Sequence, residues 1–105
     1  MTQEEVMTML SGLGLPVAYD HFARGEAPDP PFIVFLYPSA DNFAADGIVY
    51  HSFDVLHIEL YTDRKDPDQE AELEDLLTEN ELFYSKSEVW IESEQLYEVL
   101  YEMEV

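Results

Sequence analysis

The sequence predicts an α+β domain in the order α-β-β-β-α-β-β, a mostly antiparallel sheet with two helices packed on one face. Three observations predict it. Residues 2–14 and 66–80 each carry a helix cap followed by apolar residues at helical spacing. Residues 32–62, FIVFLYPSADNFAADGIVYHSFDVLHIELYT, set two β-branched and aromatic runs about a loop, as a long central hairpin does. Residues 96–105 alternate between apolar and mostly acidic side chains. Residues 1–105 contain no internal repeat, low-complexity tract or composition break, and so read as one domain.

Thr2 with Glu5 three residues on is a capping box, and Val6, Met9, Leu10 and Leu13 follow at helical spacing up to Gly12–Gly14. Glu4 and Glu5 suit the first turn, where the helix dipole favours acids. Residues 16–22, PVAYDHF, read as a short edge strand, with Val17 and Tyr19 on one face and Ala18 and Phe22 on the other. Residues 23–31, ARGEAPDPP, are an extended connector, because Pro28, Pro30 and Pro31 forbid helix. Residues 32–37 are all apolar, as in a strand covered on both faces. Pro38, Ser39, Asp41, Asn42, Asp46 and Gly47 then predict a loop. In the next strand Leu56, Ile58 and Leu60 alternate with His57, Glu59 and Tyr61, which predicts one core face and one wet or partner-bound face. Asp66-Pro67 opens the second helix, with Gln69 at the capping-box position and Leu73, Leu76 and Leu77 as its apolar stripe; Asn80 is expected to end it in the left-handed conformation. LFYSKSEVWI, a turn at residues 92–95 and LYEVLYEMEV form a closing hairpin.

Charge is the extreme feature, with 24 Asp and Glu against 4 Lys and Arg and a net charge of -20. Such a chain is repelled by nucleic-acid backbones and anionic membranes, so neither is an expected partner. With 47% hydrophobic residues interleaved among the acids, it is expected to fold rather than stay disordered, under self-repulsion that salt relieves. Cysteine is absent, which excludes thiol nucleophiles and Cys-ligated metals. The first residues are acidic where a signal peptide is basic, and no apolar run approaches the roughly 20 residues of a membrane span; a cytoplasmic protein is expected.

No catalytic motif emerges. With so many carboxylates, an acid pair of glycosidase type arises by chance. His21, His51 and His57 each lie near an acid but lack the i, i+4 spacing of a metal helix, and the structural role is the commoner one for such histidines. The loop 41–47, DNFAADG, fails as a calcium loop because Phe43 and Ala45 occupy ligand positions. Asp63, Asp66, Asp68 and Glu70 are accounted for by helix capping and the dipole. A non-enzyme without cofactor or metal is expected. Two features exceed ordinary surface. Asp41, Asn42, Phe43, Ala44 and Ala45 put apolar side chains in mid-loop, where they either fold back on the core or dock a partner. Glu88, Glu92, Glu98, Glu102 and Glu104 read as the acidic face of the closing hairpin, either simply solvated or presented to a basic partner or a channel lumen.

The stretches GLPVAYDHF, PFIVFLYPSADNFAADGIVYH, HIELYTDRKDPDQEAELEDLL and SEVWIESEQLYEVLYEMEV span nearly the whole chain. Together they resemble a family of small structural proteins of tailed bacteriophages and prophages of Gram-positive hosts, similar to tail-terminator and head–tail joining proteins. The resemblance implies a ring, commonly a hexamer; the high charge predicts that the subunit stays monomeric when free. It would sit at the head-proximal end of the tail, stop tube growth and contact the major tail tube protein and the head-completion or connector protein. The implied location is the virion, with the host cytoplasm before assembly. No active-site residue carries over. The rival from another class is an acidic DNA mimic that occupies a basic nucleic-acid-binding protein, for which the charge is equally apt.

Overall fold

The two helices and five strands arise in the predicted order. A computed structural model describes the backbone of residues 1–45 and 48–105, and the side chains outside residues 39–53. Helix α1, Gln3–Ser11, begins as its sequence dictates: the Glu5 N–H donates to Thr2 Oγ1 at 3.1 Å, and the Thr2 N–H donates to Glu5 Oε1 at 2.9 Å. Its buried stripe is Val6, Met9 and Leu10. Helix α2, Pro67–Glu79, is capped by Asp66, which accepts from the Gln69 N–H at 3.2 Å, and buries Leu73 and Leu77. Only this half of the capping box is made, and the Gln69 Nε2 donates to Glu72 at 3.2 Å.

The strands are β1 (Val17–Tyr19), β2 (Phe32–Ala45), β3 (Ile48–Thr62), β4 (Tyr84–Ile91) and β5 (Leu96–Glu104), in the spatial order β1-β2-β3-β5-β4. All neighbours are antiparallel except β1, which runs parallel to β2. A parallel pair needs a crossover. Residues 20–31 supply it and lay Phe22 edge-on against Phe32, ring centroids 5.4 Å apart, so Phe32 is buried although it faces away from the helices; Val34, on the same face, is buried too. On the opposite face Ile33, Phe35, Leu56, Ile58, Leu60, Val99, Tyr101 and Met103 meet the stripes of α1 and α2 in one core.

Two expectations are corrected. Residues 38–45 continue β2 instead of forming a loop. Leu36 pairs with His57 and Ser39 with Val55, so Tyr37 and Pro38 oppose Leu56 alone. This bulge absorbs the proline, whose missing N–H cannot enter a ladder, and the strand resumes past it. Asn80 is not left-handed either; its φ is -90°, its side-chain amide donates to the Leu76 carbonyl at 2.9 Å, and the positive φ of 58° falls on Glu81. The Leu77 and Thr78 carbonyls accept from the Leu82 and Glu81 N–H groups, each at 3.0 Å, so the chain reverses at Glu81, one residue after Asn80.

The β2–β3 hairpin outgrows the sheet. β1 pairs with β2 only at residues 33–35, and the pairing of β3 with the C-terminal strand ends where Asp54 and Val105 exchange backbone hydrogen bonds of 2.9 and 3.3 Å, so residues 40–45 and 48–53 form a two-stranded arm with no further strand beside it among the described residues. At about 3.3 Å per residue, residues 40–45 extend it by roughly 20 Å. The radius of gyration is 15.0 Å, above the roughly 13 Å of a compact chain of this length.

Strand β4 is exposed along most of its length and is held by β5 and by an ionic clamp. Glu70, only 4% exposed, accepts from Lys65 Nζ at 2.7 Å and from Lys86 Nζ at 2.8 Å. Lys86 also reaches Glu74 at 2.7 Å, to which the Tyr101 hydroxyl donates at 2.8 Å, and Lys65 reaches Glu88 at 3.0 Å. Burial alone would push the Glu70 carboxyl up; the two lysines outweigh it and hold the pKa below the usual carboxylate range. Replacing Lys86 by Met leaves Glu70 with one partner, and breaking a buried pair from one side is strongly destabilising. K86M is expected to lower unfolding free energy by about 2–4 kcal/mol, measured by urea titration, and to speed amide exchange in β4 before the central hairpin.

Candidate functional site: the open face of the sheet

Successive strand residues point to opposite faces, so the cross-strand register assigns each acid to a side. On the face away from the helices, three rungs cross β2, β3, β5 and β4: Phe32–Tyr61–Glu98–Val89, Val34–Glu59–Leu100–Ser87 and Leu36–His57–Glu102–Ser85. Val55 and Glu104 form a further pair beyond them. Glu98, Glu102 and Glu104 therefore do share a face, as expected from the period of two. Glu88 does not. It pairs with Val99 on the helix side and is bound there by Lys65. Glu92 lies in the turn and accepts from Trp90 Nε1 at 2.6 Å.

The face is acidic without being simply solvated. Glu59 sits between apolar Val34 and Leu100, and its diagonal neighbour is Glu98. Burial, then the hydrogen bond and negative charge of Glu98, with a smaller contribution from Asp20, push the Glu59 carboxyl up to about 7, while the Tyr61 hydroxyl, donating at 3.2 Å, acts the other way. Burial and the same carboxylates push the Tyr61 phenol up, which keeps it a donor at neutral pH. One rung away His57 Nε2 lies 2.6 Å from Glu102 Oε2.

The histidines do not converge. His21 pairs with Asp20 at 2.7 Å on the crossover, His57 pairs with Glu102 on the open face, and the His51 side chain lies outside the described residues. Among the described residues no group of three His, Asp or Glu side chains is arranged to hold a metal ion. The side chains of Asp41, Asn42, Phe43, Ala44 and Ala45 also lie outside the described residues; their backbone belongs to β2. Among the described residues no helix is long and apolar enough to cross a membrane.

Two groupings were missed from the sequence. The Glu59–Tyr61–Glu98 cluster joins residues far apart in the chain, and only the register of β3 against β5 brings them together. The alternation of both strands was a signal for their faces, but not for which residues oppose each other. Glu70 read as one more first-turn acid, because nothing local marks it as the meeting point of two lysines. No protein-family model and no curated protein matches the chain.

The raised pKa of Glu59 has a defined sign. A carboxyl whose folded value exceeds its ordinary 4.5 favours the fold most below about pH 4.5, and that contribution is lost as pH rises through about 7. Glu59→Gln mimics the protonated form. Relative to the parent it is expected to gain on the order of 1–2 kcal/mol at pH 8 and nothing at pH 4.5, read from urea midpoints across that range. An equal gain at both ends would mean that the side chain is not titrating there.

Proposed function

We propose that this chain is a non-catalytic structural subunit of a tailed-phage or prophage virion, a tail terminator or head–tail joining protein that works as a ring. The observation that carries this reading is the arm of residues 40–45 and 48–53, which leaves the sheet as a ribbon of two strands among the described residues. An isolated two-stranded ribbon is marginal in water and has two open edges, so it is a structure built to be covered by a neighbour. The stretches that resemble the tail-terminator family include both strands of this arm. In a ring, arms reaching onto adjacent subunits provide contact without requiring the strongly acidic bodies to touch.

The acidic open face fits the same role. Glu98, Glu102 and Glu104 on one face of a subunit would line a passage with negative charge, and DNA phosphates slide past carboxylates where they would be held by lysines. A net charge of -20 per subunit opposes premature assembly, so the ring is expected to form at a tube end or when cations screen the repulsion. The major tail tube protein and the head-completion or connector protein are the partners this role requires.

The test is a tube-capping assay by electron microscopy with the cognate tube protein, coupled to native mass spectrometry over a magnesium series. Tubes of limited length carrying a ring at one end are expected. Replacing residues 41–53 by Asn-Gly, which joins the paired Ala40 and Asp54 through a tight turn, should leave a folded monomer that neither forms rings nor caps tubes. Tubes that grow unchecked with the intact chain would overturn the reading. So would a one-to-one complex with a basic DNA-binding protein in place of any ring, which would mark the chain as a DNA mimic.

A further inference from the structure

Strand β4 ends the sheet, and among the described residues nothing pairs with its outer edge. At its start stands Phe83, 92% exposed, against 53% for Val89 and 38% for Trp90 further along the strand. Phe83 separates two hollows. One, of about 530 Å³, is lined by Val55, Phe83 and Met103 together with the carboxylates Glu81, Glu102 and Glu104. The other, of about 630 Å³, is bounded by Thr78, Leu82 and Tyr84. A surface aromatic held between two hollows, beside an unpaired strand edge and three acids, combines a backbone template with an apolar anchor and a charge preference.

The geometry points to β4 as a docking edge for an extended basic segment of another protein, which adds a sixth strand to the sheet. The side chains decide the chemistry of that strand. On the open face β4 presents Ser85, Ser87 and Val89, all short, so nothing long stands between an added strand and the carboxylates of β5 behind them. Glu102 has a side chain 53% exposed, and Glu98 and Glu104 share its face. Alternate residues of the added strand would therefore be Lys or Arg. Those between them fall on the helix side, where Lys86 and Glu88 are already engaged in the clamp and Trp90 remains exposed, while Phe83 stands at the end of the edge beside Glu102 and Glu104; apolar residues suit these positions.

Charge excludes a second copy as the occupant. The chain has four cations, and Arg64, Lys65 and Lys86 are all in ion pairs, so a second copy would bring a further -20 against this edge with Arg24 as its remaining cation. The edge is a different element from the arm and its test does not require a ring, but its carboxylates Glu98, Glu102 and Glu104 are those assigned above to the passage, so binding here would place them at a protein contact instead.

The probe is an acetylated, amidated peptide Lys-Val-Lys-Phe-Lys-Val-Lys, titrated into the full chain in 0.1 M salt and followed by amide NMR shifts and Trp90 fluorescence. Saturable binding is expected, with shifts concentrated at residues 81–91 and 98–104. F83S, a change at an exposed side chain that the fold does not use, and the double variant E102Q/E104Q should each weaken it by about tenfold. A peptide with proline in place of both valines, unable to complete a ladder, should bind far more weakly. Equal binding of the proline peptide, shifts spread over the whole acidic surface, or an unaltered affinity in F83S would reduce the effect to diffuse charge attraction and overturn the proposal. Absence of binding would overturn it as well. A concentration-dependent dimer abolished by F83S would assign the edge to a second copy instead.

Discussion

Two lysines meeting on the buried carboxylate of Glu70 are the contact on which the outer half of this sheet depends. β4 buries little and lies at an edge, so backbone pairing with β5 would hold it only loosely to a body of strong negative charge. The clamp ties it to α2 through Lys86 and to the β3–α2 connection through Lys65. In a chain with few cations, placing two of them here has a consequence elsewhere: neither Lys65 nor Lys86 is paired with Glu59, Glu98, Glu102 or Glu104 on the open face. Breaking such a network leaves buried carboxylates facing one another, which is why its members act as a unit.

The two faces of the sheet answer the charge excess differently. The helix side is an ordinary apolar core, closed by α1 and α2 and edged by the clamp. The open side is covered by the crossover near β2, with Phe22 on Phe32, and left uncovered over β3, β5 and β4. Carboxylates there cannot all ionise without penalty. Glu59 answers by holding its proton to near neutrality, and Glu102 by lying against His57. Such a surface resists association with anything acidic, itself included, and favours partners that bring positive charge.

The arm answers a different problem. In the proposed ring, subunits this acidic would repel at close range and still need contact. A ribbon that carries pairing edges some 20 Å away from the charged body would let neighbours engage through backbone while their acidic faces stay apart. The bulge at Tyr37 and Pro38 marks where this ribbon departs from the sheet, and a bulge raises the local twist, so the same proline that suggested a loop re-aims the strand.

The sequence by itself determined the two helices with their caps, the alternating faces of β3 and β5, and the class of the fold, because caps, turns and periodicity depend on residues a few positions apart. It also determined that Glu98, Glu102 and Glu104 lie together. Only the tertiary structure decided that Glu88 lies on the other face, that β2 runs through Pro38, that β1 is parallel, that Glu70 and Glu74 are clamped by lysines and that Glu59 is crowded by Glu98. Each of those depends on which strand lies beside which and in what register, a choice made by long-range burial and charge pairing that leaves no mark within a local window.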